Sequence, residues 1–409
     1  MMRYLFAIFL IIAPLYSNVK YNFGFQYGVF SVKDYTFNAI RYTPQISLDS
    51  FSISMNLDFV YDTNGNFYYN KYSTLQSILS KIEKVNYSND FLFVDIERKV
   101  ELTLSDGVLL KRFYLTHLTP IYYHPSGIAS LNFDFLSLYV IIDNILDFDI
   151  IASSIKLKPL FFVEEELLKD INITFDIGFD TDPENIKKMN IKNEPLKFED
   201  NSSNFIFIYK AGIDSIIYKN NFLKFSLNLA YAGIYTKGVG FFGGVMGEFF
   251  NLFNLGLNYA FCTEKFVPHY FDVFYENERA YKFYDLDNIN SSYNYYTISS
   301  GINFFDKNLR LQVEFENQDR ENKNPELYVS FIADRKFFKI LDLRISFHKA
   351  DIKRIEDLTL SSDFSRMFIA FNFYMSDYIV FGFEYKYLFH TVEIFDYKND
   401  IFMYIKSTF

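Results

Sequence analysis

One pattern recurs along this chain and constrains its fold more than any other. Apolar and polar residues alternate strictly, in segments of about ten residues. In residues 51–62, Phe51, Ile53, Met55, Leu57, Phe59 and Tyr61 stand against Ser52, Ser54, Asn56, Asp58 and Asp62, with only Val60 breaking the polar set. Residues 171–180 set Ile171, Ile173, Phe175, Ile177 and Phe179 against Asn172, Thr174, Asp176 and Asp180. The same holds for 223–235, 253–262 and 309–317, and for later segments around 341–348 and 379–389. Successive side chains of a strand point to opposite faces, so each segment reads as a strand with one greasy and one polar face. An ordinary strand averages about 5–6 residues. These are about twice as long.

A strand of about nine to eleven residues, tilted by about 45°, crosses the hydrocarbon layer of a membrane. Inside that layer only a closed barrel satisfies every backbone N–H and C=O. The composition agrees, since 21% of residues are aromatic, with 51 Phe, 34 Tyr and no Trp. No stretch of the body reaches the eighteen or so apolar residues of a spanning helix. The expected fold is therefore all-β, a single transmembrane antiparallel barrel of about eighteen strands, within a range of sixteen to twenty. The count reaches twenty if 91–97 and 100–104 are strands.

Connection lengths support this. Short turns at Lys219-Asn220-Asn221, Phe250-Asn251, Asp306-Lys307-Asn308 and 375–378 interleave with longer polar stretches at 181–203, 264–292, 319–325, 349–364 and 390–399. Short turns on the periplasmic side and long loops outside are the outer-membrane arrangement. One segment departs from period two. Leu75, Ile78, Leu79, Ile82 and Val85 have helical spacing, and Ser73 is a suitable cap, which predicts a short helix near 73–85. Residues 89–126 are irregular, either two short strands and a long loop or an inward-folded constriction.

The ends carry addresses. Residues 1–17 have a basic start at Arg3, an apolar core from Tyr4 to Ile12 and a small residue, Ser17, so they read as a secretory signal peptide, with the barrel spanning 18–409. The last segment, DIFMYIKSTF, alternates Ile401, Met403 and Ile405 with Phe402, Tyr404 and Lys406, and ends on Phe409. Together these features resemble porin-type outer-membrane β-barrels, and the Asn-, Lys- and Ile-rich composition is similar to that of spirochaetal members. The resemblance implies outer-membrane localisation, contact with outer-membrane lipid, and Phe409 as a signal read by the barrel assembly machinery. It also implies that an oligomer, often a trimer, is the form to look for.

The polar face then lines the inside. Charged inward candidates are Asp58, Asp134, Asp176, Asp180, Asp214, Glu248, Glu314, Glu316, Asp334, Asp342 and Glu384, with Lys210, Lys224, Arg310, Arg344, Lys386 and Lys406. So many charges in a dry interior would each cost several kcal/mol unless paired, so water in the lumen is the economical reading. The expected function is a porin-like channel for small hydrophilic solutes or ions, with a mildly acidic lumen. The alternative is a barrel scaffold whose long loops bind a ligand or host molecule. A net charge of −10 without a basic cluster argues against nucleic-acid binding. The single cysteine, Cys262, excludes a disulfide framework, and the five histidines form no metal-ligand spacing, so no cofactor is expected. His124 and Ser126 in HPSG are the nearest approach to a hydrolase pair. The flanking Pro125 and Gly127 make a turn the simpler reading, and no enzyme is expected.

Overall fold

The computed structural model describes residues 19–32, 35–68, 81–97, 101–114, 126–145, 148–184, 204–320, 323–358, 365–376, 379–389 and 397–408. The wall opens with β1 (Val19–Val32), β2 (Tyr35–Leu48), β3 (Phe51–Met55), β4 (Leu57–Asp62), β5 (Phe67–Tyr68), β6 (Ile82–Ser88) and β7 (Leu92–Glu97). After a separate hairpin, β8 (Glu101–Leu102) and β9 (Phe113–Tyr114), it resumes with β10 (Ser126–Asn132), β11 (Leu136–Ile142), β12 (Ile150–Leu157) and β13 (Asn172–Asp180). Next come β14 (Ile206–Lys219), β15 (Leu223–Ile234), β16 (Val239–Phe249), β17 (Phe253–Cys262) and β18 (Tyr293–Phe304). It ends with β19 (Leu309–Gln318), β20 (Glu326–Ala333), β21 (Leu341–Lys349), β22 (Ser365–Tyr374), β23 (Ile379–Phe389) and β24 (Tyr397–Thr408).

Each wall strand pairs antiparallel with its neighbour, and β1 pairs with both β2 and β24, so the sheet closes on itself. β3 and β4 both lie on β2 and form one strand position broken at Asn56. β5 and β6 share the next position, pairing with β4 and β3 respectively. Among the described residues this makes twenty positions, the upper end of the expected range. Of the two segments that would raise the count to twenty, 91–97 is wall strand β7, whereas 100–104 is not in the wall, its residues Glu101 and Leu102 pairing only with β9. The further position is β6. Residues 82–85, expected as the end of a helix, belong to strand 82–88 because Val85 and Tyr87 alternate with Lys84, Asn86 and Ser88, and β3 needs a partner along its length. Residues 73–80 of that expected helix lie outside the described residues. The longest helix among them is instead α1 (Tyr275–Asn288), inside the connection between β17 and β18 that the sequence read as loop.

The outer surface is what a membrane requires. From β11 to β20 every outward strand position is uncharged. Phe175, Ile177, Leu229, Phe241, Leu255, Leu257, Tyr259 and Ile298 are among the exposed apolar side chains. A soluble protein exposing so continuous an apolar band would aggregate, whereas lipid solvates it. At the seam, Gly28 on β1 lets the Phe402 ring of β24 lie flat against the wall, where a Cβ would stand only 2.1 Å from Phe402 Cδ1. The Arg41 guanidinium covers the same ring at 4.2 Å.

Both described chain ends lie at one rim, together with the turns at 49–50, 220–222, 250–252 and 305–308. At the opposite rim lie the strand ends that bracket the longer connections: Glu97 and Ser126, Asp180 and Ile206, and Cys262 and Tyr293. We call these the turn end and the loop end. A charge on the lipid face gives a direct check. Leu257→Arg should lower the stability of the barrel in lipid vesicles by about 2–4 kcal/mol, as an Arg near the bilayer midplane does. A loss below about 1 kcal/mol in a denaturant titration would show that this band does not face hydrocarbon.

Candidate functional site in the barrel lumen

Two connections at the loop end turn inward rather than outward. Residues 101–114 and 263–292 enter the barrel and join each other, with His269 N donating to Val108 O at 2.9 Å and Lys111 N to Phe271 O at 3.0 Å. Their apolar side chains, among them Leu104, Leu109, Leu110, Phe113, Phe266, Phe271, Tyr275 and Leu286, form one buried cluster with inward wall residues. The wall supplies Ile141, Ile150, Ile206, Ile208, Ile234, Phe242, Cys262, Tyr293 and Tyr295. Each large side chain so buried contributes about 1.5–3 kcal/mol. The inner face beside the plug is therefore largely apolar in its loop half, with charged residues set among the apolar ones as far up as Asp180 at the loop end of β13. Cys262 is a fully buried part of this packing.

Among these apolar contacts, wall charges meet charges carried in by the plug. Lys210 bridges Asp176 at 3.0 Å and Asp106 of the plug at 2.8 Å, with its own side chain 1% exposed. Ser105 donates to Asp176 at 2.8 Å. Arg279 of α1 donates from Nε to Asp180 at 2.7 Å and from Nη1 to Asp149 at 3.1 Å, and Tyr275 also donates to Asp180. Lys111 pairs with both Glu314 and Glu316, and Arg112 pairs with Glu314 at 2.9 Å while its guanidinium lies 3.6 Å from the Tyr328 ring centroid. Carboxylates held this way are neutralised by fixed cations, as buried charges must be.

His269 sits among these groups. Burial and the nearby Lys111 ammonium push its imidazole down to about 4, against the pull of Glu316. The neutral ring donates from Nδ1 to Gly107 O. Its Nε2, 2.5 Å from the Tyr295 hydroxyl, then competes with Glu316 Oε2 for the single Tyr295 proton.

The charged candidates thus fall into separate environments. Asp176, Asp180, Lys210, Glu314 and Glu316 are inward, buried and bound to the plug. Asp58 is inward and paired with buried Arg41 at 2.9 Å. Lower down, Lys224 and Glu248 face each other at 3.8 Å, and Lys156 lies 3.8 Å from Asp214, all four part-exposed. Asp342 accepts from Arg335 N and from the Tyr374 hydroxyl. Asp334 accepts from Lys336 N at 2.9 Å. Glu384 and Lys386 occupy inward positions on β23. Arg310 and Arg344 are inward and exposed.

Asp134 is a correction: it lies in the turn between β10 and β11, not on the wall. Phe133 and Phe135, with ring centroids 6.4 Å apart, carry the alternating pattern through that turn, which is why the pattern mistook it for strand. Ser126 opens β10 as a buried inward residue, while His124 and Phe409 lie outside the described residues. Lys111, Arg112, His269 and Arg279 were not singled out as lumen residues by the alternation, because they come from loops. The apolar run Val108-Leu109-Leu110 beside Lys111-Arg112 was the available signal.

Two measurements probe the plug. Lys210→Met leaves Asp176 and Asp106 unpaired and should cost about 3–5 kcal/mol of stability, with Asp176→Asn in the same chain recovering part of it. Equal stability of the single variant and the parent in a denaturant titration would mean the bridge is not made. For His269 the folded pKa lies below the unfolded value of about 6.5. Its contribution is present above pH 6.5 and is lost as the pH falls from about 6.5 toward 4. The protection factors of amides in 263–292, which remove the intrinsic slowing of exchange in acid, should fall over that window and do so less in His269→Gln. Protection factors that rise on acidification would show that the imidazolium is the form that holds the plug.

No family model matches this chain, and no curated protein matches it. Among solved structures it is similar to OpdL of Pseudomonas aeruginosa, at 6% identity over 96% of this chain and 98% of that one, with a TM-score of 0.36. OccAB4 of Acinetobacter baumannii aligns at 10% identity over 96% and 97%, with a TM-score of 0.35. OccK5 (OpdH) of P. aeruginosa aligns at 6% over 95% and 97%, with a TM-score of 0.39. These likenesses are too distant to argue from, and the barrel rests on its own strand pairing.

Proposed function

We propose that the chain is an outer-membrane channel for passive passage of small hydrophilic solutes, narrowed at its loop end by the inserted plug. The observation that carries this reading is the exposure of inward charges near the turn end. Near the turn end, inward Lys156, Asp214, Lys224, Glu248, Arg310 and Arg344 remain part-exposed or exposed, although each belongs to the inside of a closed wall. Charged groups at such positions are stable only in water. A barrel of about twenty strands is also wide enough for an aqueous lumen beside a plug of this size. The plug covers one sector of the wall, from about β10 to β21, by the placement of its buried contacts.

A mildly acidic lumen was expected from the wall residues alone. Lys111, Arg112 and Arg279 enter from the loops and neutralise Glu314, Glu316 and Asp180, so the wall sum does not describe the field a solute meets.

A second reading has one observation in its favour. The plug carries α1 with Tyr281 and Tyr284 exposed, a surface on which a scaffold barrel could bind a ligand. Conductance separates the two readings. In planar bilayers the refolded barrel should conduct, and the Glu314→Gln, Glu316→Gln double variant should raise the mean conductance at least two-fold by releasing Lys111 and Arg112 from the wall. Folded barrels that stay silent in both forms would transfer the function to the loops.

A further inference from the structure

We infer that the lumen prefers anions, and that Arg310 and Arg344 set this preference. The inference rests on the channel reading and goes beyond it by naming the class of solute. Both arginines face the lumen near the turn end, and both are exposed there. Neither makes an ion pair or a side-chain hydrogen bond among the described residues, unlike the other arginines and lysines discussed above.

Their placement makes them act together. Arg310 lies directly across from Ile332, and Ile332 directly across from Arg344, so the two guanidinium groups flank one aliphatic position from either side. Two strand spacings separate them, roughly 10 Å. The outer partners on the same line, Asn303 beside Arg310 and Ala370 beside Arg344, carry no charge. A guanidinium cannot lose its proton at any pH the barrel meets, so this pair is a permanent double positive charge.

The rest of the wet region does not cancel it. Lys156 with Asp214 and Lys224 with Glu248 are each balanced pairs. Asp342, two residues from Arg344 on the same strand, and Asp334 keep their negative charges, but they share this rim with two further cations. The Arg335 guanidinium lies 4.3 Å from the ring of Tyr374, whose hydroxyl donates to Asp342, and Lys336 donates its backbone N–H to Asp334. Glu384 stands beyond Ala370, with Lys386 two residues along its own strand. Above this level Asp180, Glu314 and Glu316 are held by the plug cations Arg279, Lys111 and Arg112, and Asp58 and Asp176 by the wall cations Arg41 and Lys210. Charged rings of this kind decide which ions pass, through a field strengthened by low-dielectric walls. The field here favours small inorganic and organic anions over cations of the same size.

The test is the reversal potential of the full chain in a planar bilayer under a tenfold KCl gradient. The sign expected is that of chloride preference. Arg310→Gln with Arg344→Gln should lower the chloride-to-potassium permeability ratio at least two-fold, while the double Lys variant should keep it. Conduction with potassium preference, or an unchanged ratio in the Gln variant, overturns the anion assignment and leaves the channel standing. A folded barrel that passes no current overturns the channel reading itself, and the assignment with it.

Discussion

Everything in this molecule depends on closing the sheet. A strand in hydrocarbon has no water to bond its free edge, and each unmet backbone group costs several kcal/mol. The pairing of β1 with β24 removes the last two edges. The seam is reinforced from within, where Phe402 fills the space that Gly28 leaves and Arg41 covers the ring. Closure also creates an inside, and it obliges every alternate side chain to point into it.

What occupies that inside is decided by two competing demands. Apolar inward residues at the loop end need partners that exclude water, and the inserted segments provide them. Charged inward residues need either water or counter-charges. Near the plug they receive counter-charges: Lys210 with Asp106 and Asp176, Arg279 with Asp149 and Asp180, and Glu314 and Glu316 with Lys111 and Arg112. A buried ion pair adds little net stability but is costly to break from one side. These pairs therefore fix where the plug sits more than they raise the stability of the fold. The apolar cluster supplies the attraction, and the ion pairs set the register.

The same division gives the lumen its character. A channel with a uniformly polar wall would have a field equal to the sum of its wall charges. Here the plug pairs several of the wall acids with its own cations, and Arg310 and Arg344 lower down are exposed and make no ion pair among the described residues. The charge of the lumen is thus a property of the folded loops as much as of the strands.

Much of this was legible in the residues themselves. Strict alternation in long segments determined strand, facing and closure, because period two and hydrocarbon thickness are local properties of sequence. The segregation of short and long connections determined which rim carries the loops. Strands β6 and β7 were harder to read, since Ile82 and Val85 also fit a helical spacing and only the need of β3 for a neighbour decides the matter. Asp134 was placed on the wall because Phe133 and Phe135 continue the alternation through a turn that only the chain reversal reveals. Which charges are wet, which are paired, and which loops turn inward were decided by tertiary structure alone. Lys111 and Glu316 stand 205 residues apart, and Arg279 and Asp149 stand 130 apart. No local pattern relates such residues. They meet only because a closed wall places them around one interior.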